Sequence, residues 1–214
     1  MVATLKSGQP DRAASLGRIL KSAEEEFSEF GFEGAGMKSI AKRAGVSQAL
    51  IHYHFGSKDA LYEEVIRSRS RKINDARLAL LDKVDPHGPD PLREILEALV
   101  RPALGVEGGG KAYARIYAGL MVGRPHDQAL VRECYDPTAR RFINAIELAR
   151  PGLGKARAGM VYQMALGVLA SVISRNGRLE RLMGREDDQL GEEALVAAIT
   201  EFVSGGSDAV SEPP

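Results

Sequence analysis

Residues 37–58 read MKSIAKRAGVSQALIHYHFGSK, a stretch holding Lys38, Lys42, Arg43 and Lys58 and no acid. This is a local excess of positive charge in a chain whose 29 basic residues balance 29 acidic ones. His52, Tyr53 and His54 add further donors and a planar ring. Such a set suits a polyanion, because Lys and Arg that neutralise phosphates release condensed counterions. Gly45, Val46 and Ser47 form a short turn between two apolar-periodic segments, which is the spacing of a helix-turn-helix. In the second segment Leu50, Ile51 and Phe55 fall on the core side, leaving Gln48, Ala49, Tyr53 and His52 outward. The expectation is that Gln48, Ala49 and Tyr53 meet base edges, while Lys38, Ser47, His52 and Lys58 approach phosphates and His54 supplies another donor. The same charge and spacing also suit a small solvated hairpin with a basic face.

Other constellations carry less. Gly105 to Lys111 spells a phosphate-binding loop except that Ala112 replaces the final hydroxyl residue, and the preceding segment reads as helix rather than strand. The four histidines do not cluster at metal-ligand spacing, and His52 and His54 point to different faces of a helix. A lone Cys134 on an apolar helix reads as a structural thiol. No catalytic group of Ser, His and Asp or pair of carboxylates stands out, so no enzyme activity, metal or cofactor is expected. Tyr113, Tyr117 and Met121, with Phe142 and Met164 from later segments and Tyr135 beside them, are expected to line a pocket for a mainly apolar ligand with one polar end, although the same helical spacing also suits plain core. Arg115 or Arg124 could meet an acid group on it, and both equally suit a solvated surface.

The elements that must position these residues are helical almost throughout. Leu16, Ile19, Leu20, Ala23, Phe27 and Phe30 make one apolar stripe, ending at Gly31. Short helices follow near residues 37–44 and from Ser47 to Phe55, and a long one from Ser57 to about Leu81. The segment 82–91, DKVDPHGPDP, reads as a loop and as the best boundary between domains. Further helices are expected near 92–104, 111–123, 126–150, 153–177 and 190–203, with a kink or break at Pro137 and a frayed tail. The fold class is all-α, of about nine helices. A three-helix head over residues 11–56 is joined by the helix 57–81 to a bundle reaching residue 205, and residues 206–214 form a tail.

The 214-residue chain is long enough for one or two cores. A single cysteine excludes an internal disulfide framework and fits a reducing cytoplasm. The polar first ten residues lack the apolar run of a signal peptide, and no apolar stretch reaches spanning length, so no membrane association is expected. Two late apolar stripes, Leu153, Met160, Val161, Met164, Val168 and Val172, and then Ala194, Leu195, Ala198, Ile199 and Phe202, suit either internal packing or a four-helix interface about a two-fold axis.

Ile19-Leu20, Phe27, Gly31-Phe32, Ile40-Ala41, Ala44-Gly45-Val46-Ser47, His54-Phe55 and Ser57-Lys58 with Leu61 together resemble the N-terminal domain of the tetracycline-repressor family of bacterial regulators. The resemblance implies a homodimeric, ligand-responsive repressor with a DNA-binding head and a ligand-binding, dimerising body. Its partners would be double-stranded DNA with a near-palindromic operator, a second copy of itself and a hydrophobic small-molecule effector. Two positions depart from the family pattern: His52 stands where a phosphate-touching tyrosine is usual, and Gly36 where a capping threonine or serine is usual. The segment PDPLREILEALVRPAL, ending at Leu104, is similar to a subgroup that includes fatty-acid-responsive regulators. The alternative reading is a helical-bundle lipid carrier or enzyme, which would need neither the basic segment nor specific DNA.

Overall fold

The computed structural model describes residues 8–105, 108–123, 125–174, 178–184 and 191–211. These residues form eleven α-helices and one 3-10 turn, with no strand among them. In order they are α1 (Gly8–Gly34), α2 (Met37–Ala44), α3 (Gln48–Phe55), α4 (Lys58–Leu81), α5 (Pro91–Leu104) and α6 (Gly110–Val122). Then come α7 (Pro125–Cys134), α8 (Asp136–Ala149), the 3-10 turn Pro151–Leu153, α9 (Gly154–Ser174), α10 (Arg178–Met183) and α11 (Glu192–Ser211).

Two of these exceed the expected nine. The helix expected over 126–150 is divided, because the chain leaves helical geometry at Tyr135 and Pro137 falls in the first turn of α8, where its missing N–H has no intrahelical partner to lose. The short α10 lies beyond the sequence expectation. The last helix runs on to Ser211 rather than fraying from residue 204. The anticipated helix start at Leu190 and the last residues of the tail lie outside the described residues.

The chain divides into two compact units, Met1–Ser68 and Arg69–Pro214. The dividing point falls inside α4, whereas the proline-rich segment 82–91 lies within the second unit as the α4–α5 connection.

The first unit is built on Ile19, Ala23, Phe27, Ile40, Ala41, Ile51, Leu61 and Tyr62, all buried. The α1 stripe does not run to its end: Phe30 is 50% exposed. Gly31 breaks the helical path at φ 68° and ψ 177°, a conformation that favours glycine. The turn carries Phe32 onto Phe27 and Tyr62, with ring centroids 6.1 and 5.1 Å away. Aromatic burial of this kind fixes the first unit's edge against the start of α4.

The second unit is a bundle in which α5 packs on α11 and α8, and α9 packs on α8, α11, α6 and α5. Leu92, Leu96, Leu99, Phe142, Ile146, Val161, Leu169, Val196 and Ile199 make its buried core. Asp90 caps α5 by accepting from the Arg93 N–H at 3.4 Å, and Pro91 occupies the first turn. Among the described residues one helix, Pro151–Ser174, is long and apolar enough by length and composition to cross a membrane, where the sequence leads us to expect none. Its Ala158, Val161, Tyr162, Ala165, Leu166 and Leu169 are nevertheless buried against the bundle.

Candidate functional site

The α2–turn–α3 unit is held by local chemistry. Gly45 ends α2 at φ 66°, its N–H reaching the Lys42 carbonyl at 3.3 Å while the Val46 N–H reaches that of Ala41 at 3.0 Å. This is a left-handed helix stop that satisfies two orphan carbonyls. Ser47 then caps α3, its hydroxyl accepting from the Leu50 N–H at 3.2 Å. Ile51 is fully buried and Leu50 and Phe55 are half-buried, so α3 is seated by one side. Its other side presents Gln48, Ala49, His52 and Tyr53, all exposed, with Tyr53 at 75%. His54 is half-buried between the rings of Tyr53 and Phe55, at centroid distances of 5.2 and 6.3 Å.

His52 is tied within its own helix. Its Nδ1 lies 3.0 Å from the Gly56 carbonyl oxygen, which can only accept, so Nδ1 carries the proton. Nε2 lies 3.3 Å from the Gln48 side-chain nitrogen and, in the neutral ring, accepts from it. The Gln48 amide is thereby oriented with its oxygen unpaired by this contact. Gln48 and His52 thus present one linked surface, a relation that spacing i, i+4 allows but does not dictate.

The basic residues separate into different roles. Lys38 and Lys42 are exposed. Arg43 is pulled back against α1, where Glu25, Glu26 and Glu29 lie 3.4, 3.3 and 3.2 Å from its guanidinium. These carboxylates, Glu29 first, hold its pKa above the ordinary value and neutralise it locally. Lys58 is half-buried: its ammonium donates to the Glu33 and Ala35 carbonyls at 3.3 and 3.2 Å and stands 4.6 Å from the centre of the Phe32 ring. The charge counted from sequence is therefore only partly presented to a polyanion.

Gly36 precedes α2 and offers no side-chain cap. Glu26, buried in α1, takes that place from across the unit. It accepts from the Gly36 N–H at 3.4 Å, the Ser39 hydroxyl at 2.8 Å and the Arg43 guanidinium at 3.3 Å. A carboxylate at a helix N-terminus also meets the favourable end of the dipole. The sequence reading missed Glu26; the pairing of a glycine at the cap with an acid-rich preceding helix is the signal that was there to use.

The second unit holds a cavity of about 30 Å³ whose walls include Ile73 and Arg77 of α4, Tyr113 and Tyr117 of α6, Tyr135, and Leu166 and Leu169 of α9. Of the residues expected around a ligand, Tyr113, Tyr117 and Tyr135 line this cavity. Phe142 is fully buried in the general core, Met121 is half-buried away from the cavity, and Met164 is 49% exposed. The anticipated acid partner Arg115 is exposed, and Arg124 lies outside the described residues. The Tyr113 and Tyr135 hydroxyls bond to each other, and the Tyr117 ring meets that of Tyr135 edge-on at 5.3 Å.

Burial pushes the Tyr117 and Tyr135 phenols up, with Tyr113 adding to the effect at Tyr135, and pushes Tyr162 up to about 12. In all three Arg77 acts in the opposite direction. Arg77 was not singled out from sequence. It could have been, because Ile66, Ser70, Ile73, Arg77 and Leu81 share one buried face of α4. Cys134 is half-buried and its carbonyl accepts from the Asn74 amide at 2.7 Å.

Comparison with known proteins places both units. Residues 96–206 match the family model of tetracyclin repressor-like C-terminal domains, and residues 19–65 that of bacterial regulatory proteins of the tetR family. The chain is 28% identical over 191 residues to the HTH-type transcriptional activator FasR of Mycolicibacterium smegmatis, covering 89% of this chain and 81% of that protein. Over 63 residues it is 44% identical to the HTH-type transcriptional regulator RutR of Escherichia coli K12, covering 28% of this chain and 30% of that one. The solved structure of the TetR family regulator PfmR from Thermus thermophilus superposes with a TM-score of 0.64. It is 20% identical and covers 87% of this chain and 96% of its own.

Proposed function

This chain belongs to the tetR family of bacterial regulatory proteins, and from that premise we propose that it represses transcription as a homodimer released from its operator by a small-molecule effector. It is a DNA-binding transcriptional regulator, and its family is one of regulators rather than enzymes. The observation that supports the finer reading is the outer face of α3. Gln48, Ala49, His52 and Tyr53 stand exposed on a helix whose opposite side is anchored by Ile51. In this reading Gln48, Ala49 and Tyr53 meet base edges in the major groove. Lys38, Ser47, His52, His54 and Lys58 serve the backbone around them, with Lys58 acting mainly by holding the end of α1. The molecule works in the cytoplasm, where the chromosome is.

The dimer is assigned to the outward sides of α9 and α11. Met160 and Met164 are 48% and 49% exposed, Gly167 is exposed, and Phe202 is 71% exposed with Ala194 and Ala198 on the same side of its helix. The two late stripes read from sequence therefore divide: Leu153, Val161 and Ile199 are buried internally, Val168, Val172 and Leu195 are half-buried, and Met160, Met164, Ala194, Ala198 and Phe202 are left exposed for a partner. A two-fold pair of heads calls for a near-palindromic operator with half-sites separated by multiples of about 10 bp.

The effector is assigned to the cavity of the second unit, with Tyr113 and Tyr117 in its wall. Because α4 supplies Ile73 and Arg77 to that wall and Leu61 and Tyr62 to the core of the first unit, a shift of α4 can carry the signal along one helix. The effector must favour the arrangement that DNA does not, by about 1–3 kcal/mol for a 5- to 150-fold loss of affinity.

A gel-shift against DNA flanking the chain's own gene tests the reading. A discrete, competitor-resistant complex is expected, and its absence would favour a helical-bundle carrier or enzyme. Deletion of the gene is expected to raise transcription from the bound promoter. A fall would make the chain an activator, which is what the name of the M. smegmatis relative says of that protein.

A further inference from the structure

Arg77 is an unusual group for a cavity wall of tyrosines and aliphatic side chains. It is 4% exposed, and its Nε donates to the Leu99 carbonyl at 2.8 Å. Among the described residues that is its only hydrogen bond, and no carboxylate forms an ion pair with it. Its two terminal amino groups are left without an acceptor among those residues, on a side chain that borders the cavity. A buried cation without a counter-charge is costly, and deep burial of Arg is ordinarily accompanied by an acid. The neighbouring phenols do not provide one, since burial keeps Tyr117, Tyr135 and Tyr162 protonated well past neutral pH.

We propose that the cavity is an anion site, in which Arg77 pairs end-on with the carboxylate of a compact organic monoacid whose apolar body lies against Leu166, Leu169 and Ile173. This rests on the reading of the second unit as the effector domain and names the chemistry of the effector. With Nε committed to Leu99, the two amino groups remain as a fork that matches the two oxygens of a carboxylate. A monoanion is favoured over a phosphate dianion because no second cation lines the cavity among the described residues. The space of about 30 Å³ admits one or two waters, so any acid beyond the smallest must push the lining side chains apart. That displacement would act on Ile73 and Arg77, which are part of α4.

The test is calorimetric titration of the full chain, without DNA, using hexanoate and benzoate against hexanol and benzyl alcohol. The acid of at least one pair should bind about ten- to a hundredfold more tightly than its alcohol. In Arg77→Met that ratio should fall to near one while the alcohol still binds. Circular dichroism checks that the variant is folded, and the wild-type ratio stands on its own if it is not. Equal binding of acid and alcohol to the wild type, an acid preference that survives Arg77→Met, or no binding by either acid overturns the proposal. Since operator DNA takes no part, these outcomes are separate from the gel-shift that tests the regulator reading.

Discussion

At the scale of single residues, side chains of the same type do different work. Lys38 is exposed, whereas Lys58 commits its ammonium to the Glu33 and Ala35 carbonyls and the Phe32 ring. Lys38→Ala should leave thermal stability unchanged and reduce the steepness of the salt dependence of DNA binding by about 0.9 for each phosphate that Lys38 neutralises. Lys58→Ala should lower the stability of the folded chain by about 1–2 kcal/mol, the scale of charge-assisted hydrogen bonds at a half-buried site. Paired melting curves and salt titrations check both, and a Lys58→Ala variant with unaltered melting would show that its carbonyl contacts hold nothing.

Glu26 offers a second test. Replacing it by alanine strands the Gly36 N–H and the Ser39 hydroxyl and should cost about 2–3 kcal/mol in denaturant unfolding, with Glu26→Gln costing less. The exposed face of α3 was legible in the sequence because burial follows helical periodicity. The partners of Arg43, Lys58, Glu26 and Arg77 were not, since each lies on another element or depends on a carbonyl that no side-chain pattern records.

At the scale of elements, punctuation decided what could be read. Gly45 and Ser47 bound the turn between α2 and α3 by chemistry that sequence displays directly, a left-handed stop and a hydroxyl cap. Gly31 was read as a helix end, but the chain resumes helical geometry beyond it and continues to Gly34. Pro137 marked a discontinuity without showing that two helices would result. The short α10 gave too few turns for a periodic signal. Gly45→Ala provides the check on the turn. A Cβ there meets nothing within 4 Å, so the cost is that of a left-handed backbone alone, about 1–2 kcal/mol. Gly45→Asn should recover part of it, because asparagine tolerates that conformation better. If alanine and glycine melt alike, the turn is not held at positive φ in solution.

At the scale of the whole molecule, the apolar periodicity of α9 and α11 was legible but its destination was not, because one helix carries a core-facing and an outward-facing apolar side. Val161, Ala165 and Ile199 close the bundle, while Met160, Met164, Ala198 and Phe202 remain on the outside. Large apolar residues grouped at helical spacing on two packed helices suit the partner surface proposed for them better than scattered surface exposure does. Regulation depends on this face if two heads must engage DNA together. One head alone makes half of the DNA interactions, and the free energies of the two add when they are joined. Ala198→Glu places a charge one turn from Phe202 on an exposed site, where the isolated chain has solvent to accommodate it. The variant should therefore keep its helical content and its unfolding transition per monomer. A dimer would have to bury that carboxylate without a counter-charge, at a cost of several kcal/mol spread over two symmetric copies. Light scattering should report a dimer for the wild type at micromolar concentration and a monomer for Ala198→Glu, with discrete operator binding abolished in the same variant. A wild type that scatters as a monomer, or a monomeric variant that binds the operator undiminished, would sever DNA recognition from this face.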